Sequence, residues 1–129
     1  MFSYKRVIRI QDTDATGVIY FANLLQIGLE AFEEFMRSQG FSLKEMIRSK
    51  SFLLPIVHTE ADFFFPLTVG DEVDINLTIK KIGTSSFTHC SDFILKEKNT
   101  GTCSIVHVAF SPSEKTSIPL PEKLLQALK

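Results

Sequence analysis

Two hydrophobic periods divide the first forty residues. Apolar and polar side chains alternate from Phe2 onward, which predicts a first β-strand ending at Gln11. From about Phe21 the apolar spacing changes to three and four residues, which predicts a long helix to about Gln39, with Gly40 as its C-terminal stop. Apolar residues cover more than half of the circumference of this helix, so we expect the rest of the chain to wrap around it.

The remainder of the chain is mostly strand-like. Ser42, with Glu45 three positions later, predicts the N-cap of a short second helix reaching about Lys50. Apolar runs and alternating segments predict four further strands, and Gly, Pro, Asn and Ser mark the connections between them. The predicted strands are 53–65, 73–80, 87–96 and 102–110, the connections are 66–71, 83–85 and 98–101, and a last helix covers 122–128.

This order of elements indicates an α+β fold in one domain spanning residues 1–129. An antiparallel sheet that curls around the long helix would bury the helix and leave one sheet face polar. The alternative is an open sheet with the helix lying flat against it, which would leave Ile27 and Phe35 harder to bury.

Composition and charge narrow the classes of partner. The chain of 129 residues is 44% hydrophobic and has twelve Phe, enough for a packed core. Fourteen basic and fifteen acidic side chains give a net charge of −1 without a block of like charges, so we expect no nucleic-acid or membrane partner. The N-terminal residues lack the apolar run of a signal peptide or membrane helix, so we expect a cytoplasmic protein.

The two cysteines do not indicate a cofactor or metal. Cys90 and Cys103 are too few for a disulfide framework and lack the paired spacing of a structural zinc site. Cys103 and His107 would share one face of a strand, but no second close pair accompanies them. We therefore expect reduced, buried cysteines, no metal and no cofactor.

Candidate chemistry is concentrated in residues 11–23, Gln-Asp-Thr-Asp-Ala-Thr-Gly-Val-Ile-Tyr-Phe-Ala-Asn. Asp12 and Asp14 precede the predicted helix, whose first turn offers free N–H groups and a positive dipole end to an oxyanion. Gly17 permits a tight turn and close approach of a ligand. The alternative, which spacing alone favours, is that one aspartate caps the helix or closes an Asx-turn. The chain has no Gly-x-Ser-x-Gly elbow, P-loop or dinucleotide fingerprint that would offer another centre.

These residues resemble the signature of the 4-hydroxybenzoyl-CoA thioesterase family of hotdog-fold proteins. Pro66–Asp71 is similar to a family turn and Ser86–Phe87 to a recurring strand start. Residues 11–23 and 54–58 are also similar to the branch acting on 1,4-dihydroxy-2-naphthoyl-CoA in phylloquinone and menaquinone biosynthesis. The resemblance implies a hotdog-fold hydrolase of an aromatic acyl-CoA. It also implies a homodimer or a dimer of dimers, a homotetramer, with active sites between protomers.

The resemblance also implies roles for particular residues. Asp14 falls at the position of the catalytic carboxylate, and Phe21 at the position whose backbone N–H polarises the thioester carbonyl, which leaves Asp12 a structural role. Gly17, Ser86 and Phe87 are further candidates for contact with substrate.

Two departures from the family pattern concern the coenzyme A and the acyl group, and for the acyl group the motif does not fix the polar residues that recognise the aryl hydroxyls. Residues 82–85 lack the basic cluster of some members, so Lys80 and Lys81 are candidates for the coenzyme A phosphates or else are solubilising charges. His58 either lines the acyl pocket or is satisfied within the sheet. His89 and His107 are expected to be structural, and three consecutive phenylalanines, 63–65, are expected to pack in the core.

The resemblance leaves two rival functions open. One is a thioesterase of broader short-chain or aromatic specificity, since the family motif is shared by enzymes acting on different acyl groups. The other is a non-catalytic acyl-CoA-binding module, in which we would expect the acid at position 14 to be missing.

Overall fold

A computed structural model describes residues 1–129 and contains one main antiparallel sheet of five strands. The spatial order of its strands is β1-β3-β4-β5-β2, so β1 and β2 form its two edges. The strands are β1 (Phe2–Val7), β2 (Ile56–Phe63), β3 (Glu72–Ile82), β4 (Ser86–Leu95) and β5 (Lys98–Val108); short β6 (Phe110–Ser111) and β7 (Thr116–Ser117) pair with each other; the helices are α1 (Phe21–Ser38), α2 (Leu43–Ser49) and α3 (Glu122–Leu128).

Helix α1 is the centre of the fold. It contacts all five strands of the sheet, as a wrapped helix must. Leu24, Ile27 and Ala31 are almost completely buried, and the alternate residues of β3, β4 and β5 that face α1 complete the core. The prediction of an antiparallel sheet curled around one long helix is confirmed, and the flat open-sheet alternative is not observed.

Gly28 allows α1 to approach the sheet closely. A Cβ atom placed on this residue would lie 2.5 Å from Sγ of Cys103 on β5, too close for van der Waals contact. The thiol of Cys103 is buried, and burial raises its pKa to about 12. A side chain at position 28 is therefore unfavourable as long as position 103 is cysteine.

Several predicted boundaries differ from the structure. Strand β1 ends at Val7, and Ile10–Asp12 form a turn of 3-10 helix because the Asp12 carboxylate accepts a hydrogen bond from the Arg9 N–H. The predicted connection 98–101 lies within β5; the turn before it is made by Lys96 and Glu97, both with positive φ. A lysine and a glutamate in the left-handed region are uncommon, which explains why the turn was misplaced.

The cap of α2 follows the prediction in part. The Ser42 hydroxyl accepts a hydrogen bond from the Glu45 N–H at 3.0 Å, as an N-cap does. The carboxylate of Glu45 does not return to the cap; it pairs with Arg48 at 2.8 Å. None of the helices is long and apolar enough to cross a lipid bilayer.

Edge strand β2 has an unusual surface. Seven of its eight residues are exposed, and Ile56, Val57 and Phe63 retain 43%, 58% and 48% of their surface. The prediction that phenylalanines 63–65 pack in the core is wrong, because all three stay about half exposed at the end of this edge strand. An uncovered edge with apolar side chains is a surface on which another strand can pair.

Candidate active site

The loop between β1 and α1, residues 8–20, is fixed against the connection that precedes β3. Ile19 donates its N–H to the Leu67 carbonyl at 2.8 Å, and Val18 forms a β-bridge with Thr68. Thr13 and Ile19 form a further bridge, which closes the loop into a narrow turn. Gly17 lies in this turn with φ of +80°, a conformation that a residue with a side chain adopts only with strain.

Asp14 lies in the same turn with its side chain exposed. One carboxylate oxygen, Oδ1, accepts hydrogen bonds from the Thr16 N–H at 2.8 Å and the Thr16 hydroxyl at 2.5 Å. The hydroxyl and then the N–H of Thr16 hold the pKa of Asp14 below its ordinary value. Asp14 therefore closes an Asx-turn and remains ionised at neutral pH, while Oδ2 has no partner in the chain.

Asp12 has a different environment. It is 6% exposed and forms an ion pair with the guanidinium of Arg6, which also binds Glu30 through Nε at 3.0 Å. Burial alone would raise the pKa of Asp12, but the hydrogen bonds from Arg6 and from the Arg9 N–H outweigh it and lower the pKa. The Asp12 carbonyl accepts from the Tyr20 N–H and from the Asn23 side chain, both within 3 Å, so Asp12 ties β1 to the start of α1.

The first turn of α1 supplies free hydrogen-bond donors beside this loop. Tyr20 is the N-cap residue and makes no side-chain cap, so neither Asp12 nor Asp14 caps α1. The N–H of Phe21 has no acceptor in the chain, as expected of the first residue of a helix. The Phe21 side chain is 63% exposed, so a ligand can reach this end of the helix. A carboxylate and a helix N-terminus thus occur together, which are the parts of an acyl-transfer site.

The largest apolar cavity lies beside the middle of α1, away from the loop that carries Asp14. It is open to the surface and has a volume of about 560 Å³ between α1, α2 and the start of β2, within the size range of small-molecule pockets. Leu29 in the cavity wall is eight residues beyond Phe21, so the cavity begins about 12 Å along the axis of α1 from the N-terminus of that helix. The cavity has twelve lining residues, nine of them hydrophobic, and the twelve are Leu29, Phe32, Glu33, Leu43, Met46, Ile47, Leu53, Leu54, Pro55, Ile56, His107 and Phe110. The loop of residues 8–20 between β1 and α1, called the Asp14 loop below, contributes no residue to this wall. A single chain therefore does not bring Asp14 and the cavity together.

Two buried histidines lie next to this cavity: His107 lines it, and His89 contacts His107. Nε2 of His89 and Nε2 of His107 are 3.1 Å apart, and Nδ1 of His107 is 2.9 Å from the Leu54 carbonyl. Because a carbonyl only accepts, His107 donates from Nδ1 and accepts at Nε2, so His89 donates from Nε2. Burial and the neighbouring His107 lower the pKa of His89 to about 3, and burial also lowers that of His107. Both rings are therefore neutral, stacked on Phe32 with centroids 4.4 and 5.0 Å away.

The other predicted contacts are not gathered at the Asp14 loop. His58 points to the face of the sheet opposite α1, where its Nε2 is 2.9 Å from Glu60, and it does not line the apolar cavity. Phe87 is buried in the core against Phe32, and Ser86 begins β4, where its carbonyl accepts from the Gly83 N–H.

Lys80 and Lys81 lie far from the loop of their own chain. Both are exposed on the outer face of the sheet, near the end of β3. The Asp14 loop is bridged to Thr68, in the connection before the other end of β3, and the strand from Glu72 to Lys80 alone spans about 26 Å. These lysines therefore reach coenzyme A bound at an Asp14 loop only if that loop belongs to another chain.

The curled sheet around a central helix and the acidic loop at its N-terminus define the class of protein. The family profile of the thioesterase-like superfamily matches residues 8–128, so the chain belongs to that family, and the resemblance noted from the sequence is confirmed. It is 38% identical over 128 residues to a 1,4-dihydroxy-2-naphthoyl-CoA hydrolase of Nostoc punctiforme, covering 99% of this chain and 86% of the relative. The corresponding hydrolase of Rippkaea orientalis is 39% identical, with 100% and 96% covered.

Solved structures agree with this assignment. The crystal structure of a 1,4-dihydroxy-2-naphthoyl-CoA thioesterase from Synechocystis superposes with a TM-score of 0.93 at 33% identity, covering 98% of this chain and 94% of that one. A gentisyl-coenzyme A thioesterase superposes with a TM-score of 0.88 at 26% identity, covering 99% and 100%. Both structural relatives are thioesterases of hydroxylated aromatic acyl groups.

Two parts of the site were missed from the sequence. Thr16 was not assigned a role, although Asp-x-Thr is a pattern that closes an Asx-turn and predicts its contact with Asp14. The apolar cavity was also missed, because its wall combines residues from α1, α2, the segment before β2 and the end of β5. No local pattern connects segments so distant in sequence.

Proposed function

We propose that this chain hydrolyses the thioester of an aromatic acyl-CoA, with 1,4-dihydroxy-2-naphthoyl-CoA as the preferred substrate. The products would be coenzyme A and 1,4-dihydroxy-2-naphthoate, an acid used in phylloquinone and menaquinone biosynthesis. The observation that carries the proposal is the ionised Asp14 carboxylate in a fixed turn before the uncapped N-terminus of α1. The relatives named above, similar over nearly their whole length, support the acyl group.

On this geometry we assign roles to Thr16, Asp14 and the Phe21 N–H. Thr16 holds Oδ1 of Asp14, which leaves Oδ2 free to act either as nucleophile or as general base for water. As nucleophile, Oδ2 bonds to the thioester carbon, the carbon–sulfur bond breaks, the thiolate takes a proton, and water hydrolyses the mixed anhydride. As base, Asp14 takes a proton from water as the water oxygen bonds to the thioester carbon, the carbon–sulfur bond then breaks, and the proton passes to the leaving thiolate. In both routes the Phe21 N–H and the helix dipole stabilise the negative carbonyl oxygen.

Replacement of Asp14 by asparagine tests the proposal. We expect Asp14→Asn to lower kcat by about 100-fold or more, since the amide is neither nucleophile nor base. The turn keeps an oxygen acceptor for Thr16, so the fold and coenzyme A binding should be unchanged. Release of free thiol from 1,4-dihydroxy-2-naphthoyl-CoA is the assay, and Asp74→Asn, at an exposed ion pair with Lys5, is the matched control.

Two results would overturn parts of this assignment. Near-normal turnover by the asparagine variant would exclude Asp14 as the working acid. Equal kcat/KM of the wild-type enzyme for short-chain and aromatic acyl-CoAs would identify a broad thioesterase rather than one selective for the naphthoyl group.

We further propose that the working unit is a homodimer joined through β2, either alone or paired into a tetramer. Phe63 at the end of β2 pairs with Gly101, whose Cβ position is 3.4 Å from Leu24 near the N-terminus of α1. Ile56 at the start of β2 lines the apolar cavity. Antiparallel pairing of two β2 strands about their centres would therefore set the cavity of one chain beside the helix N-terminus and Asp14 of the other.

Subunit mixing tests this arrangement. Leu29→Trp should fill the cavity and inactivate the enzyme, as Asp14→Asn should by removing the acid. A heterodimer of the two would combine the cavity of one chain with the acid of the other in one intact site, so refolding an equal mixture should restore about a quarter of wild-type activity. No recovery from a mixture shown by mass spectrometry to contain heterodimers would contradict a shared site. A monomer in light scattering would exclude the dimer.

A further inference from the structure

The wall of the apolar cavity contains few polar atoms, and most of them are already engaged. His107 uses both ring nitrogens, one with the Leu54 carbonyl and one with His89. The carbonyls of Leu53 and Pro55 accept from the N–H groups of Phe110 and Val108, at 2.9 and 3.1 Å. The His107 ring nitrogens are therefore fully engaged, and each of the two carbonyls already accepts one hydrogen bond.

Glu33 is the exception. It is an exposed residue of α1 among those that line the cavity, one position beyond the buried ring of Phe32. Its carboxylate makes no hydrogen bond or ion pair within the chain, whereas the neighbouring Glu30 binds Tyr4 at 2.6 Å and Glu34 pairs with Arg37 at 3.5 Å. Glu33 thus combines two features, an unused acceptor and a position at the rim of an apolar cavity.

The rest of the wall suits a flat ring. Phe32 and His107 stack on each other at its base with centroids 5.0 Å apart and are almost completely buried, while Phe110 and Met46 add aromatic and thioether surface. An ionised carboxylate accepts hydrogen bonds and repels a second anion, so a ring carrying a hydroxyl donor complements this rim. An unsubstituted ring would leave the carboxylate to water.

From these contacts we propose that the cavity receives the ring of a hydroxylated aromatic acyl group, and that Glu33 selects such groups by accepting a hydrogen bond from a ring hydroxyl. This inference rests on the proposed thioesterase function and specifies how its acyl group is recognised. Glu33 acts on specificity and has no part in breaking the thioester.

Comparison of two substrates tests the inference. We expect Glu33→Gln to lower kcat/KM for 1,4-dihydroxy-2-naphthoyl-CoA by about 10-fold or more, because a hydrogen bond to a charged acceptor is replaced by a neutral one. Hydrolysis of 2-naphthoyl-CoA, which has the same rings without hydroxyls, should be unchanged. Glu34→Gln is the matched control, since Glu34 is the next residue of α1 and does not line the cavity.

The outcomes separate this inference from the proposed function. A wild-type enzyme inactive on both thioesters would refute the proposed function. A wild-type enzyme active on them, with a Glu33→Gln variant that loses equally on both or on neither, would refute the role of Glu33 alone. A fall in kcat/KM of Glu33→Gln for the hydroxylated substrate alone, with Glu34→Gln unaffected, supports the inference. The variant Glu33→Asp, which keeps the charge on a shorter side chain, shows whether charge or side-chain length is needed.

Discussion

The buried histidine pair makes the stability of the protein depend on pH in a range where few other groups titrate. An unfolded chain binds a proton at His89 below about pH 6.5, whereas the folded chain excludes that proton until about pH 3. The lowered pKa therefore means that stability is complete above pH 6.5 and is lost as the pH falls. We expect Asp and Glu side chains to contribute little above pH 5, because their ordinary pKa values lie near 4.

The size of the effect follows from the pKa difference. Each pH unit in this interval costs about 1.4 kcal/mol for one excluded proton. Between pH 6.5 and pH 5 the loss from His89 is therefore about 2 kcal/mol, and over the whole interval down to pH 3 it is about 5 kcal/mol. The pKa of His107 is lowered in the same direction and adds to the loss.

Urea unfolding between pH 5 and pH 7, at one fixed protomer concentration, measures this dependence. His89→Gln should remove about 1 kcal/mol per pH unit from the slope, because the amide N–H still donates to His107 but does not titrate. His58→Gln, the same substitution at an exposed histidine beside Glu60, is the matched control. A slope in His89→Gln equal to that of the wild-type protein, or an NMR titration of His89 near pH 6.5, would refute the reasoning.

Two further substitutions probe the Asp14 turn and the helix–sheet contact. Thr16→Val should raise the pKa of Asp14 toward its ordinary value, because the hydroxyl donor is removed. The acidic limb of the pH profile of kcat/KM should therefore move to higher pH, and an unmoved limb would show that Thr16 does not lower the pKa of Asp14. Gly28→Ala should destabilise the protein by about 1 kcal/mol in thermal or urea unfolding, because the new Cβ is too close to Sγ of Cys103. In a Cys103→Ala background the same substitution should be neutral or stabilising, and additive effects of the two substitutions would contradict the close contact.

The fold was predictable from sequence because its main signals are periodic. The spacing of apolar residues located α1 to within one residue at its end, and alternation located β3, β4 and most of β5. The turn at Lys96 and Glu97 was not predictable, since it uses left-handed residues that lack the usual turn chemistry. The end of β1 was misjudged because the 3-10 turn after it depends on the buried Asp12, a tertiary effect.

The candidate site was predictable only where it is local in sequence. Asp14, Gly17 and Phe21 lie within eight residues, so their proximity follows from chain connectivity. The cavity depends on the packing of α2 against α1, and the placement of His58 on the outer face depends on the register between β2 and β5. A shift of one residue in that register would turn His58 toward α1, and no pattern in the sequence fixes it.

The contact between Gly28 and Cys103 has a consequence for sequence evolution in this family. Since the two positions share one small volume between α1 and β5, their sizes should be inversely related across homologous proteins. Where position 28 has acquired a methyl group, we expect position 103 to be alanine or glycine, and where position 103 is bulkier than cysteine, we expect the helix to keep its glycine. These two residues, 75 apart in the chain, should therefore be inherited as a matched pair.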